Sequence, residues 1–231
     1  MARAPAIAQA QIIKLLVTGS SDGVDRDDHA PYFVVLVGFW GTLVVCQSPK
    51  PVAELMPAGK RADVESMDDS RWPDPWRGWR VWDGLPDGAC DSLAETGSVL
   101  TAEIYDSDGA RFTAVSHPSG RWMTYLNFER VLSHLVLPPA PFDADGDELT
   151  GSALDEQNAA YQSEVAQVRQ RLLATVPMGL AAAERASAWA YESGLTPASV
   201  DELHLVLDGT ELFVEELFYR LLGRLGMPLA S

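Results

Sequence analysis

The longest apolar run in the chain, Tyr32–Cys46, contains no charged residue. As a helix it would span only about 22 Å, short of the roughly 20 apolar residues that cross a bilayer. Pro31 before it and Ser48-Pro49 after it bar extension, and β-branched Val34, Val35, Val37, Thr42, Val44 and Val45 favour strands. Gly38 and Gly41 bracket Phe39 and Trp40. The run therefore predicts two strands, Tyr32–Val37 and Thr42–Gln47, joined as a hairpin. Absence of alternation predicts burial on both faces.

Period-two alternation is clearest over Val99–Phe128. Asp106–Gly109 and His117–Gly120 carry turn chemistry, so this stretch predicts a three-stranded antiparallel meander. With the hairpin it makes a sheet of about five strands, near the usual number. Ahead of the sheet, Ile7–Val17 reads as a short helix running into a strand, and Gly19–His29 as a polar loop. Glu129–Val136 predicts a short helix, which Pro138, Pro139 and Pro141 end.

Beyond Pro138 the period changes. Tyr161, Val165, Val168 and Leu172 recur at helical spacing within a helix predicted over Ala153–Val176. An Ala-rich helix follows over Leu180–Glu192, with Trp189 on its apolar side and Gly194 as its C-terminal stop. Thr196-Pro197 offers one N-cap for the next element, and Ser199 with Glu202 offers a capping box. Leu203–Val214 is open to two readings. Asp208-Gly209 is a hairpin signal, yet Phe213, Leu217, Leu221 and Leu225 recur every four residues and favour a helix from about Thr210 to Arg224. The fold class is α+β: an N-terminal antiparallel sheet followed by a C-terminal helical region. The chain divides into a β-rich sheet domain at 1–137, a Pro-rich acidic linker at 138–151, and a helical domain or helical layer on the sheet at 152–231.

Ser48–Ala94 is long, rich in Pro and Gly and poor in pattern, as functional or disordered loops are. Within it Arg71–Asp83 interleaves Trp72, Trp76, Trp79 and Trp82 with Arg71, Arg77 and Arg80. Disordered segments are poor in aromatics, so this part is expected to be ordered. Either the rings cap the sheet core with Arg stacked on them, or they form a recognition loop of hot-spot residue types.

Charge narrows the function classes. The chain carries 33 acidic and 17 basic side chains, a net charge of −16. Residues 1–137 hold 18 acids and 12 bases, and residues 138–231 hold 15 and 5. Such a field repels nucleic acid and anionic membranes and speeds encounter with a basic partner. Met1–Gly19 lacks a signal-peptide core, its apolar stretch being broken by Gln9, Gln11 and Lys14, so a reducing cytoplasmic location is expected.

Motifs for chemistry are sparse. His29, His117, His134 and His204 have no zinc spacing, and Cys46 and Cys90 form no CxxC. Acids beside Cys90 point its thiol pKa upward, the wrong direction for a nucleophile. Asp143, Asp145 and Asp147 mimic the start of a calcium loop. However, Glu148 stands where that loop needs Gly, and Leu154 where it needs Glu. No nucleophile elbow, phosphate loop or dinucleotide fingerprint occurs. The expected function is non-catalytic and cofactor-free: an acidic surface that docks and neutralises a basic protein, as a toxin-neutralising immunity protein does. An adaptor, chaperone or phage-type structural protein binding a partner segment is the alternative, and a hydrolase with a dispersed acidic site is the third. The candidate partner-binding residues are Trp72, Trp76, Arg77, Trp79, Arg80, Trp82, Asp143, Asp145, Asp147, Glu148, Glu211, Glu215 and Glu216.

Overall fold

The computed structural model describes residues 12–15, 34–67, 72–82, 84–142 and 145–227, with 12–15 and 34–37 placed as backbone strands. Strands β1 (Ile12–Leu15) and β2 (Val34–Val37) pair antiparallel with each other in a small separate sheet. The main sheet has six strands: β3 (Gly41–Cys46), β4 (Val64–Ser66), β5 (Arg77–Val81), β6 (Val99–Tyr105), β7 (Gly109–Ser116) and β8 (Gly120–Leu126). They run in the order β4-β5-β3-β6-β7-β8, every pairing antiparallel.

The hairpin expected between Tyr32–Val37 and Thr42–Gln47 is absent, because the two halves of the apolar run join different sheets. β3 instead pairs with β5 on one side and β6 on the other, and all of its residues are buried. Burial on both faces, which the unalternating pattern predicts, is what a central strand also requires. The Ser48–Ala94 stretch is likewise not a loop. It contains helix α1 (Val52–Leu55), a 3-10 turn at Ala58–Asp63, strands β4 and β5, and helix α2 (Ala89–Ala94). Gly78 makes β5 possible at its tightest point, since a Cβ there would lie 2.5 Å from the Trp72 ring.

The meander β6-β7-β8 forms as expected. Its first turn places Asp106 at φ 52° and Ser107 at φ 57°, both left-handed, and Asp108 N–H closes it on Tyr105 O at 3.0 Å. Two left-handed central residues define the turn type whose twist suits a hairpin. Helix α3 (Phe128–Leu135) follows β8.

Helices α5 (Gly179–Glu192), α6 (Val200–Leu207) and α7 (Val214–Arg224) cover one face of the sheet. Leu43, Leu100, Ile104, Phe112 and Leu126 from the strands meet Trp189, Leu203, Leu217, Phe218 and Leu221 in one core. Each such large side chain contributes about 1.5–3 kcal/mol by leaving water. Trp189 is fully buried, and its indole Nε1–H donates to Val115 O at 3.0 Å, tying α5 to β7. Gly194, at φ 77°, stops α5 as expected. Of the two N-cap options, Ser199 with Glu202 forms the capping box of α6. Asp208-Gly209 makes no hairpin, and α7 begins at Val214, after the position expected from its periodicity.

On the opposite face α2 packs at one end and α3 at the other. The 25-residue helix α4 (Gly151–Thr175) has no buried residue, and its expected stripe of Tyr161, Val165, Val168 and Leu172 is half-buried. Among the described residues no helix is long and apolar enough to cross a membrane.

Candidate docking surface

Several elements meet at the tip of the β6–β7 hairpin, and Ser107 is the knot. Its backbone N–H donates to Phe39 O at 3.1 Å, and its carbonyl accepts from Val214 N–H at 2.8 Å. Its hydroxyl oxygen accepts the Phe39 N–H at 2.8 Å, while its own proton goes to Glu215 Oε1 at 2.7 Å. The β2–β3 loop and the start of α7 are thus fastened to one buried serine. Gly38 fits against this turn because it has no side chain: a Cβ there would lie 2.0 Å from Asp106 Oδ1.

The fastening positions two groups of aromatic rings, together an aromatic band at this end of the sheet, one on Phe39 and one on Trp40. Phe39 meets Trp82 edge-on at 5.1 Å, and Arg80 lies over both rings at 5.4 and 5.6 Å. Trp40, the next residue, meets a separate group on the α3 face: Tyr105 at 6.0 Å and His134 at 5.3 Å, with His134 stacked on Tyr105. The outermost rings are open to solvent, Trp40 by 44% and Trp82 by 45%. Leu135 on α3 and Leu212 on the α6–α7 connection are exposed large apolar side chains on neighbouring elements. Scattered exposed apolar residues are ordinary, whereas a band of tryptophan with Arg beside it has the composition of a binding hot spot.

Carboxylates border the band. Asp108 is held by Arg130 at 2.8 Å and by His134 Nε2 at 3.4 Å, and its carbonyl accepts from Asn127 Nδ2 at 2.6 Å. Burial, before any charge, raises the Tyr105 phenol well above its ordinary pKa, and Glu103 adds to the shift, so the ring stays neutral. Glu215 Oε2 is buried and has no hydrogen-bond partner among the described residues.

The residues singled out from sequence divide by environment. Trp72 and Trp76 lie in the shared core, 6% and 2% exposed, as the core-capping reading expects. Trp79 packs half-buried beside α1 and α2 on the other face. Arg77 pairs with Asp74 at 2.9 Å and also donates to Trp76 O. Arg80 and Trp82 reach the aromatic band, which Glu215 joins through Ser107. Glu211 pairs with Arg220 at 2.6 Å, and Glu216 is exposed on the first turn of α7. Asp145, Asp147 and Glu148 sit apart in an exposed turn closed by the bridge between Phe142 and Glu148, and Asp143 lies outside the described residues. Sequence reasoning missed Phe39, Trp40, Tyr105, Ser107 and His134.

Among the described residues no three His, Cys, Asp or Glu side chains gather as a metal-binding set. Cys46 is buried and its thiol pKa is raised to about 11, chiefly by burial. Cys90 is also raised, again mainly by burial. The adjacent Asp91, the expected cause, acts in the same direction but more weakly.

No family model, curated protein or solved structure matches this chain. Lys50, Arg80, Arg111, Arg121, Arg130, Arg169, Arg220 and Arg224 each lie against a carboxylate. Basic charge spent in such pairs contributes little outward, and the surplus of acids sets the sign of the field.

Proposed function

We propose that this chain is a non-catalytic binding protein whose acidic exterior docks a basic protein, with Trp40 and Trp82 as the anchors. The observation that carries the reading is the pair of half-exposed tryptophans, Trp82 against Phe39 and Trp40 against Tyr105 and His134, in a chain of net charge −16. Buried aromatic anchors supply most of the binding energy in such interfaces, and the field supplies encounter rate and partner choice. The most specific form of this function is an immunity-type inhibitor covering the cleft of a cationic toxin in a reducing cytoplasm.

The test is affinity capture from a lysate of the source organism, comparing the native chain with a Trp40→Ser/Trp82→Ser variant. A basic protein retained only by the native chain, and rebinding at least about tenfold more weakly at 300 mM than at 50 mM salt, supports the proposal. Retention by the double variant, or affinity indifferent to salt, refutes it.

A further inference from the structure

A cavity of about 360 Å³ lies between the end of β8, the start of α3, the α4–α5 connection and the α6–α7 connection. Its size is that of a small-ligand site. Phe128, Leu173, Met178 and Leu207 form an apolar wall, and the Tyr125 ring lies 5.6 Å from that of Phe128. Thr124 also lines it. This hydroxyl is almost completely buried, and its partner is the weakly accepting thioether of Met178 at 3.5 Å.

Every charged side chain in the lining is acidic, namely Glu129 and Asp208. Glu129 lies against Arg169, and Asp208 accepts from His204 Nε2 at 2.8 Å. The N-terminal ends of α3 and α5 also face the cavity and oppose the carboxylates, with about half a positive charge each. Glu129 stands in the first turn of α3 and offsets that helix end, and the field of the whole chain adds to the carboxylates.

We infer that this cavity binds an organic cation: an ammonium or guanidinium group on an apolar stem, carried by a small molecule or by a side chain of another protein. The stem lies along Phe128, Leu173 and Met178, the Tyr125 and Phe128 rings attract the cation, and Glu129 and Asp208 accept its hydrogen bonds.

The experiment is a titration of the isotope-labelled chain, followed by amide chemical shifts, with phenethylammonium, neutral 2-phenylethanol and anionic 3-phenylpropionate. The cation is expected to saturate with shifts confined to Asn127–Glu129, Gly179 and Asp208–Thr210, and to bind at least about tenfold more tightly than the anion. Glu129→Gln/Asp208→Asn, at two exposed positions, should lower cation affinity about tenfold and leave the alcohol unchanged, which a folding defect would not do. Thr210→Trp should exclude all three probes. A capped Gly-Arg-Gly peptide that binds as well as the free cation assigns the side-chain source, and its exclusion assigns the free molecule. An anion that binds as tightly as the cation, cation shifts scattered over the acidic surface, or no saturable shift by about 20 mM overturns the inference. The Trp40→Ser/Trp82→Ser variant should titrate like the native chain, which separates this site from the docking surface.

Discussion

Replacing Ser107 by alanine should loosen the fold and the aromatic band together. The variant strands the Phe39 N–H and Glu215 Oε1, which Ser107 Oγ meets at 2.8 and 2.7 Å. The second oxygen of Glu215 already lacks a partner among the described residues, so the carboxylate would be left buried with little compensation. A neutral hydrogen bond contributes about 0.5–1.5 kcal/mol and one to a charged group about 1.5–3. The expected loss is therefore about 2–4 kcal/mol, a large part of the roughly 5–15 kcal/mol that holds a protein folded. In urea this moves the midpoint by about 1 M or more. A glycine variant separates the lost bonds from the backbone conformation. Ser107 stands at φ 57°, where an L-residue costs about 1–2 kcal/mol and glycine almost nothing. Ser107→Gly loses the same bonds but relieves the backbone, so it should be more stable than Ser107→Ala by about 1 kcal/mol, the reverse of their order in a helix or strand. Urea unfolding followed by circular dichroism and tryptophan emission measures both. An alanine variant within about 0.5 kcal/mol of the native chain, or a glycine variant less stable than alanine, would refute the clamp.

Trp189→Phe should lower stability by about 2–4 kcal/mol in thermal or urea unfolding, since it removes the buried indole hydrogen bond to Val115 O and opens a gap in the core. At pH 8, Cys46 should react with a thiol reagent about a hundredfold more slowly in the native than in the unfolded chain, because a thiol raised from 9.0 to about 11 holds that much less thiolate. The Glu192 carboxyl is held below its ordinary pKa by the Ser116 hydroxyl at 2.5 Å and by that of Ser119. A depressed folded pKa stabilises above the unfolded value, about 4.3, and the contribution disappears as pH falls through the folded value. Glu192→Gln should therefore flatten the acid limb of stability measured by urea midpoints, and an unchanged limb would count against this hydrogen-bonded carboxylate.

The parts of the fold legible in the sequence are those specified locally. The β6-β7-β8 meander follows from alternation and turn residues within the pairing segments, and the α6 boundary from a capping box four residues long. β3 shows the limit of such reading. A buried hairpin arm and a central strand have the same uncharged pattern, and the choice between them rests on β5 and β6, partners remote in the chain. β5 itself is obscured by its short length and by the tryptophans that flank it. Its faces do alternate, with Trp79 and Val81 on one side and Gly78 and Arg80 on the other, but in a segment dense with Pro and Gly five residues of alternation carry little weight.

The proposed docking surface was legible only in its ingredients. Trp82 and Arg80 stand out in the sequence as hot-spot types, yet Trp40 is hidden inside an apolar run whose next six residues, Gly41–Cys46, are all buried. What separates Trp40 from them is its place in a connection that Ser107 pins at the sheet's end, a contact spanning 68 positions. Acidity does not locate the surface either, since 33 carboxylates spread over 231 residues mark no one face. Location comes from the conjunction of large apolar rings left in water, the paired cations around them, and a strained turn that fixes both. A turn with two left-handed non-glycine residues is costly to keep, and its bonds to Phe39, Val214 and Glu215 show what that cost maintains: the relative placement of the rings. For this reason the energetics of Ser107 bear on function as well as on stability, because a loosened turn should weaken partner binding even where Trp40 and Trp82 are intact.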